Sequence, residues 1–508
     1  MDESLRVWGD QVLTSRAAVG LAVGAVRGAE VGFHVAGWSD IASKAPITEH
    51  TIFRIGSITK TMTAVAVLQL WERGLVDLDS PAEDHLSAYR LVPSEPGWGP
   101  VTIGHLLTHT SGIPDVLRVG HLFHPSWGPF EGRPPVLSVP VGQHLPALAE
   151  YYRDGIRIVG EPGSSFAYSN HGFATLGQIV EEVSAQPLDG YLREHVFEPL
   201  GMMDTTLTRR AQVEARLARG HHLGSRGVEV IADREWIGAG GGGVYSSSSD
   251  LVRYVEALLG GGSNRHGSVL APATVAMMFD YSYQADPRLN SGIGLGFFRH
   301  DIAGHRVLSH DGILPGFNSS LLIAPDDDVG VVAFTNGSRG AMAWLPVESE
   351  RLLRQLAGFD AAVTDARVPQ HPEIWHQLCG RYRLPRVADL RGRVGMGGGV
   401  EVFVGHGRLM IRLLTPIPRL YRGFPLMADD PDDPYMFRVD LSTLGIGAVC
   451  LAFSVDERAT EIHTDLGGQP ISLHRTDRSD ILDGGARAAE QMISRLRNMR
   501  RRPGHSRR

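Results

Sequence analysis

A serine and a lysine stand three residues apart at the start of an apolar stretch, in Gly56-Ser57-Ile58-Thr59-Lys60. On a helix, residues three apart share a face with about 5–6 Å between their Cβ atoms, so the Lys60 amine reaches the Ser57 hydroxyl. A buried lysine resists protonation and can then accept a proton, whereas arginine stays charged. The chain has only two lysines against 47 arginines. The pair predicts a nucleophilic serine with a lysine base, and accidental spacing is the alternative.

A tyrosine and an asparagine form the second candidate pair, Tyr168 and Asn170, in a segment that begins at Pro162-Gly163. In an extended stretch, residues two apart share a face. A tyrosinate accepts a proton, and a side-chain amide orients a carbonyl group. The alternative is a tyrosine packed beneath a turn.

The third candidate segment is His310-Asp311-Gly312-Ile313. Glycine lets backbone amides approach a ligand closely. His310 is expected to donate to a substrate or to orient Tyr168, and Asp311 is expected to add an acid to the site. A purely structural histidine at a strand edge is the alternative.

These segments need elements that hold them, and the apolar pattern predicts one sheet with an inserted helical subdomain. Residues 18–37 read as a hairpin, and residues 57–73 read as a buried helix with Ser57 in its first turn. Further helices are predicted at 144–154, 172–184, 187–196, 250–259 and 344–357, and strands at 305–309, 319–324 and 329–335. The fold class is α/β (α+β).

The chain divides into four predicted parts. Residues 1–358 form the mixed domain, and 359–372 form a linker that contains Pro369 and Pro372. Residues 373–478 show short alternating runs, at 400–404, 408–412 and 449–453, which predict an all-β module of small-barrel size. Residues 479–508 form a basic tail in which eight arginines and one acid follow residue 486. We expect a solvated, partly helical tail, with contact to a membrane, RNA or a partner as the alternative.

Composition excludes several classes of function. The net charge of −7 does not favour nucleic acid or anionic lipid over the whole surface. No apolar run has the roughly 18 residues of a spanning helix, and no secretory signal is recognised at the start, so a cytoplasmic protein is expected. Cys379 and Cys450 are expected to be buried free thiols.

Metal and cofactor sites are also disfavoured. His105 and His109 have a spacing that can bind zinc, but no H-E-x-x-H motif surrounds them. The glycine-rich Gly240–Val244 run lacks the Gly-Lys-Ser/Thr of a phosphate loop, and no G-x-S-x-G motif occurs. We therefore predict no metal and no cofactor, with close backbone packing as the role of the glycines.

Taken together and in order, the three segments resemble the serine β-lactamase and penicillin-binding protein superfamily. The resemblance is strongest to its class C-like branch of esterases, D-aminopeptidases and DD-peptidases, which carries S-x-x-K, then Y-x-N, then K-T-G or H-x-G. Accessory segments are similar too, among them Leu106-Leu107-Thr108-His109-Thr110-Ser111-Gly112-Ile113 and Gly294-Leu295-Gly296-Phe297. The resemblance covers residues 5–355, and the β module resembles the lipocalin-like C-terminal domain of some members.

The resemblance implies a role for each candidate. Ser57 is the nucleophile, and Lys60 and Tyr168 are its bases, in an order that the sequence leaves open. Asn170 holds an acyl-side amide or carbonyl. The site also includes His310 and Gly312, and the backbone amides of Ser57 and Ile313 form the oxyanion hole.

Substrate preference follows from a departure from the lactamase pattern. His310 replaces the lysine that grips a substrate carboxylate, so anionic substrates are expected to bind less well. We therefore predict a carboxylesterase for small to medium acyl esters that works through an acyl-enzyme. Rival predictions are a D-aminopeptidase, a DD-carboxypeptidase or a weak β-lactamase, and, outside this class, a non-catalytic binding protein. The expected partner is a small ester or amide, without nucleic acid.

The segment 117–143 is rich in proline, glycine and aromatic residues. It lies between the Thr110-Ser111-Gly112-Ile113 turn and Tyr168, so one hypothesis is that it shapes an apolar acyl pocket. The alternative is a rigid surface loop without a function.

Overall fold

A computed structural model describes residues 1–115, 137–224, 227–359, 368–385, 399–414, 422–444, 447–466 and 469–476 of the chain. The hypothesis on the 117–143 segment falls mostly outside the described residues, and so does the whole prediction for the basic tail.

An antiparallel sheet of eight strands forms the centre of the mixed α/β part. Its spatial order is β4-β5-β6-β7-β8-β1-β2-β3. The strands are β1 (Gly20–Arg27), β2 (Glu30–Asp40), β3 (Ala45–Pro46), β4 (Ser291–Ile293), β5 (Phe298–Ile302), β6 (His305–Leu314), β7 (Phe317–Ala324) and β8 (Val329–Thr335). The predicted hairpin is confirmed as β1 and β2. The strand predicted at 305–309 is longer than expected, because its pairing with β7 continues through the His310 motif to Leu314.

Helices cover both faces of this sheet and build the inserted subdomain. They are α1 (Asp2–Ser15), α2 (Thr59–Glu72), α3 (Ile103–Leu107), α4 (Leu148–Tyr151), α5 (Asn170–Ser184), α6 (Leu188–Leu192), α7 (Ala211–Glu214), α8 (Ser248–Leu259), α9 (Pro272–Phe279) and α10 (Ala341–Ala357). A further short helix, α11 (Trp375–Leu378), packs into the core of the C-terminal part. The helix predicted at 144–154 is only the short α4. The prediction at 187–196 is confirmed as α6, which continues as a π-helical turn, Arg193–Phe197.

Four two-stranded pairings complete the mixed part. They join Phe53–Arg54 with Tyr245–Ser246, Leu91–Pro93 with Ile156–Ile158, Ser138–Pro140 with Arg234–Trp236, and His221–Gly224 with Gly227–Val230.

Neighbouring residues of a sheet strand pack into different cores, because successive side chains of a strand point to opposite faces. Leu308 of β6 packs into the larger core with α2 and α8, whereas Val307 packs into the smaller core with α1 and α10. The larger core also surrounds α2, whose residues from Thr59 to Leu70 are all buried. The prediction of a buried helix is confirmed, but the helix begins at Thr59, and Ser57 lies in the 3₁₀ turn before it.

The C-terminal part is a closed antiparallel barrel of eight strands, as the all-β prediction expected. They are β9 (Gly380–Arg383), β10 (Val400–Gly405), β11 (Arg408–Leu413), β12 (Phe424–Ala428), β13 (Met436–Asp440), β14 (Ala448–Val455), β15 (Ala459–Leu466) and β16 (Gln469–Thr476). Its interior is filled by apolar side chains such as Tyr382, Phe437 and Phe453. Cys379 and Cys450 are free thiols, but the prediction that both are buried is wrong: Cys379 is only partly buried, and Cys450 is exposed because strand alternation turns it outward.

The barrel packs against the β4–β5 edge of the main sheet. Arg288 donates to Asp433 at 3.1 Å and to the carbonyl of Phe453 at 3.0 Å. His300 on β5 lies 3.4 Å from a carboxylate oxygen of Asp465 on β15. Among the helices of the described ranges, none combines the length and apolarity needed to cross a bilayer.

Candidate active site

Ser57 lies where the chain turns into α2. A 3₁₀ turn, Gly56–Ile58, runs directly into the helix, so Ser57 sits at the end where the helix dipole is positive. Gly56 has a φ of +53°, a conformation that favours glycine. A Cβ at Gly56 would lie 3.0 Å from the backbone nitrogen of Ile313, so this turn and β6 are in close contact.

Lys60 is fully buried, and its amine meets three oxygens. Its Nζ lies 3.1 Å from Ser57 Oγ, 2.7 Å from Asn170 Oδ1 and 2.5 Å from the carbonyl oxygen of Gly241. The amide and backbone oxygens can only accept hydrogen bonds, whereas the hydroxyl can also donate. A neutral amine that gives its two N–H groups to the two carbonyl oxygens therefore directs its lone pair at the Ser57 proton.

A glycine strap, Gly240–Gly243, forms the wall behind Lys60. The carbonyl of Gly240 accepts from Thr63 on α2 at 2.8 Å, one residue before the carbonyl that holds Lys60. A Cβ at Gly240 would lie only 2.8 Å from the carbonyl oxygen of Phe173 on α5. Close backbone packing is therefore what these glycines provide, as predicted.

The Tyr168 ring belongs to an aromatic cluster beside the lysine. Its centroid lies 4.9 Å from Lys60 Nζ and 4.3 Å from the His109 ring. It also stacks on Phe298 of β5 at 6.5 Å, and the His310 ring is 6.4 Å away. Tyr168 and Lys60 are thus brought together from positions more than a hundred residues apart.

His109 positions the backbone on either side of Tyr168. Its carbonyl accepts from the Ala167 amide at 2.7 Å, and its Nδ1 accepts from the Ser169 amide at 3.1 Å. Burial, with smaller contributions from Lys60 and His310, holds the pKa of His109 well below its usual range, so the ring is neutral and able to accept. The sequence analysis recognised this histidine only as part of a motif, not as a support of Tyr168.

The histidine pair with zinc-like spacing serves structure instead. His105 Nδ1 accepts from the Thr102 amide at 3.2 Å and completes the N-terminal cap of α3, while His109 is engaged by Ser169. Within the residues that the structure describes, no group of three or more histidine, cysteine, aspartate or glutamate side chains is arranged to hold a metal ion.

Asn170 begins α5 and has a fixed amide orientation. Its Oδ1 accepts from Lys60, while its Nδ2 donates to Asp115 Oδ1 at 2.8 Å. The backbone N–H of Asn170 donates to the same carboxylate oxygen at 2.9 Å. Asp115 was missed by the sequence analysis, although it directly follows the Thr-Ser-Gly-Ile-Pro part of an accessory motif. One N–H of the Asn170 side chain is thus committed to Asp115.

Gly312 and Ile313 lie on β6 where this strand crosses the turn before Ser57. A Cβ at Gly312 would lie 1.9 Å from the carbonyl oxygen of Ile55, so only glycine fits. The same carbonyl accepts from the Ser319 hydroxyl at 2.7 Å. The backbone of Ile313 is therefore held beside the Gly56-Ser57 peptide.

His310 is buried on the same face as Lys60. Burial and, to a smaller extent, Lys60 lower the pKa of His310 to about 3, so the ring is neutral. Its Nδ1 lies 2.9 Å from the carbonyl oxygen of Asp311, which can only accept. The single N–H of the neutral ring is used there, and Nε2 is left as an acceptor rather than as the donor that we expected.

Asp311 does not face the site. Neighbouring residues of a strand point to opposite faces, and the carboxyl of Asp311 lies beside Ser320 and His300 on the α10 side of the sheet. Burial raises its pKa to about 6. The prediction that Asp311 adds an acid to the site is wrong.

Known proteins resemble this chain over much of its length. A sequence model of the Beta-lactamase family matches residues 9–348. Penicillin-binding protein 4 of Amycolatopsis lactamdurans is 30% identical over 329 residues, which cover 61% of this chain and 79% of that protein. Esterase EstB of Burkholderia gladioli is 30% identical over 272 residues, which cover 49% of this chain and 68% of the esterase. The octameric penicillin-binding protein homologue from Pyrococcus abyssi has a TM-score of 0.59 at 22% identity and covers 93% of this chain and 100% of that protein, which shows a shared fold.

Proposed function

This chain belongs to the Beta-lactamase family of serine hydrolases, and we propose that it hydrolyses carboxylic esters through an acyl-enzyme formed on Ser57. The resemblance stated from the three motifs is confirmed at the level of the family. One observation carries the proposal. The buried amine of Lys60 lies 3.1 Å from the Ser57 hydroxyl, while Asn170 Oδ1 and the Gly241 carbonyl oxygen accept hydrogen bonds from the same amine.

The proposed reaction begins with proton transfer from Ser57 Oγ to Lys60 Nζ as the oxygen attacks the ester carbonyl. The backbone amides of Ser57 and Ile313 stabilise the oxyanion that forms. Tyr168, whose ring lies 4.9 Å from the amine, is proposed to pass a proton to the leaving alcohol. Water then attacks the acyl carbonyl and gives a proton to the tyrosinate of Tyr168, while Ser57 Oγ leaves and takes its proton back from Lys60, which releases the carboxylic acid and restores the site.

The charges around Ser57 support an uncharged leaving group. A site that holds a substrate carboxylate needs a cation on the strand beside the nucleophile, and here that position is His310, which is neutral. Lys60 is occupied by its own contacts. A leaving alcohol needs no cation, so esters are the proposed class, and peptides with a free C-terminus or anionic β-lactams are expected to react more slowly.

A direct test compares four substrates: p-nitrophenyl acetate, p-nitrophenyl butyrate, D-alanine p-nitroanilide and nitrocefin. We expect the two esters to give the highest kcat/KM and the Ser57→Ala variant to abolish turnover. The matched control is Ser164→Ala, which removes an exposed hydroxyl from the loop before Tyr168 and should retain activity. Faster turnover of the anilide or of nitrocefin would replace the esterase proposal by an amidohydrolase or a β-lactamase.

Mass spectrometry after treatment with a fluorophosphonate probe tests the nucleophile independently. The expected result is one covalent adduct on Ser57. A chain that binds ligands without catalysis would give no adduct, and a chain with a different nucleophile would carry the adduct on another serine.

A further inference from the structure

A carboxylate stands beside Asn170 at the edge of the candidate active site. This carboxylate belongs to Asp115. A chain of three hydrogen bonds connects it to the Ser57 hydroxyl: Ser57 to Lys60 at 3.1 Å, Lys60 to Asn170 at 2.7 Å, and Asn170 to Asp115 at 2.8 Å. Asp115 is partly exposed, and both of its hydrogen bonds from Asn170 end on Oδ1. Within the described part of the chain, Oδ2 accepts no hydrogen bond.

Among the described residues around Asn170, the other charged or titratable groups are already committed or turned away. The Lys60 amine is already in contact with three oxygens, and Asp311 lies on the opposite face of the sheet. His310 and His109 are neutral because both are buried. Within the described ranges, Asp115 is therefore the negative charge next to Asn170, the residue that is expected to hold the acyl side of the substrate.

A carboxylate oxygen in this place is complementary to a positively charged donor. An ammonium group forms a charge-assisted hydrogen bond with it, whereas a carbonyl or a methyl group gains nothing there. Asn170 retains a second N–H on Nδ2, which can donate to an acceptor on the same acyl group.

We propose that Asp115 is a specificity-determining residue that selects acyl groups bearing an ammonium group close to the scissile carbonyl, as in aminoacyl esters and amides. This inference rests on the proposed function, because it assigns the acyl half of the substrate at the same site.

Asp115 also fixes the amide of Asn170, so selectivity must be separated from positioning. An Asp115→Asn variant keeps an oxygen that accepts from Asn170 but removes the charge. A positioning role alone would lower kcat/KM for every substrate by the same factor in this variant. A selectivity role lowers it by a larger factor for the substrate with an ammonium group.

The experiment uses the full chain and a pair of esters of matched shape, alanine ethyl ester as each enantiomer and ethyl isobutyrate, in which a methyl group replaces the ammonium. Hydrolysis is followed by pH-stat at pH 6.5, where the α-amine is largely protonated. We expect the wild type to favour one alanine ester by about 10-fold or more, the range of a hydrogen bond between charged groups. Asp115→Asn should lower kcat/KM for that alanine ester at least about 10-fold more than for ethyl isobutyrate, and so remove the preference.

Glu161→Gln is the matched control, because it removes an exposed carboxylate from the loop before Tyr168, and it should leave the preference intact. Equal kcat/KM for the charged and neutral esters in the wild type would overturn the inference, as would an equal loss for both in Asp115→Asn. If Ser57 takes up the fluorophosphonate and neutral esters are hydrolysed without such a preference, only this inference fails. If Ser57 is not labelled and no ester is hydrolysed, the proposed function fails, and the inference fails with it.

Discussion

Gly312 lies at the tightest contact between the strand β6 and the turn that carries Ser57. A Cβ at this position would lie 1.9 Å from the carbonyl oxygen of Ile55 and 2.3 Å from the Ser319 hydroxyl, whereas real Cβ atoms keep at least 3.0 Å. The φ of Gly312 lies outside the left-handed region, so an alanine is compatible with the local backbone conformation. The substitution Gly312→Ala therefore tests the contact alone.

The size of the effect follows from this geometry. To accept the methyl group, β6 and the Ile55 carbonyl must separate by about 1 Å, the difference between the observed distance and the closest distance tolerated. Because Ile55 is two residues from Ser57, the nucleophile and the Ile313 amide move apart. A misplacement of about 1 Å costs about 100-fold in rate, or about 2.7 kcal/mol. Overpacking also costs about 1–3 kcal/mol of folding stability.

The assay measures kcat/KM for p-nitrophenyl butyrate together with the melting temperature of each variant. We expect Gly312→Ala to remain folded at 25 °C and to lose about 100-fold in kcat/KM. Gly190→Ala is the control, because a Cβ there has nothing within 4 Å; it should change neither quantity appreciably. A folded Gly312→Ala variant with nearly full activity would refute the view that this contact sets the distance between Ser57 and β6.

Three further predictions concern charge. Lys60→Arg should be nearly as inactive as Ser57→Ala in ester hydrolysis, because a guanidinium cannot accept the serine proton; substantial remaining activity would show that the amine is not the base. The pKa of His310 is lowered to about 3 by burial, so the pH profile of kcat/KM between pH 5 and 8 should keep its inflection points in His310→Gln, and a displaced inflection would show that this ring titrates in the range. The pKa of Asp311 is raised by burial from 3.8 to about 6, so the folded state binds the extra proton and its stability falls as the pH rises through that interval. Urea unfolding should therefore show Asp311→Asn gaining on the wild type by up to about 3 kcal/mol between pH 4 and pH 7, and a difference that is constant with pH would contradict this.

The sequence by itself determined the features that depend on neighbours along the chain. The β1–β2 hairpin, the buried helix α2 and the alternating strands of the barrel follow from short periodic patterns, which local backbone geometry imposes. The one-turn spacing of Ser57 and Lys60 is of the same kind, because Ser57 lies in the 3₁₀ turn that leads into α2 and Lys60 lies in the first turn of that helix. The alternation of side chains along a strand also indicates that His310 and Asp311 point to opposite faces, so the wrong assignment of Asp311 was avoidable from sequence.

The tertiary structure alone decided which distant groups surround Lys60. Its contacts with Asn170 and with Gly241 span 110 and 181 positions of the chain, and no periodicity encodes such pairs. The same holds for Asp115, whose carboxylate orients Asn170 across 55 positions. These contacts exist because the packing of α2 against α5 and the glycine strap brings their polar groups into one buried space. There each donor needs an acceptor, and the groups that meet this need come from whichever segments the fold places nearby.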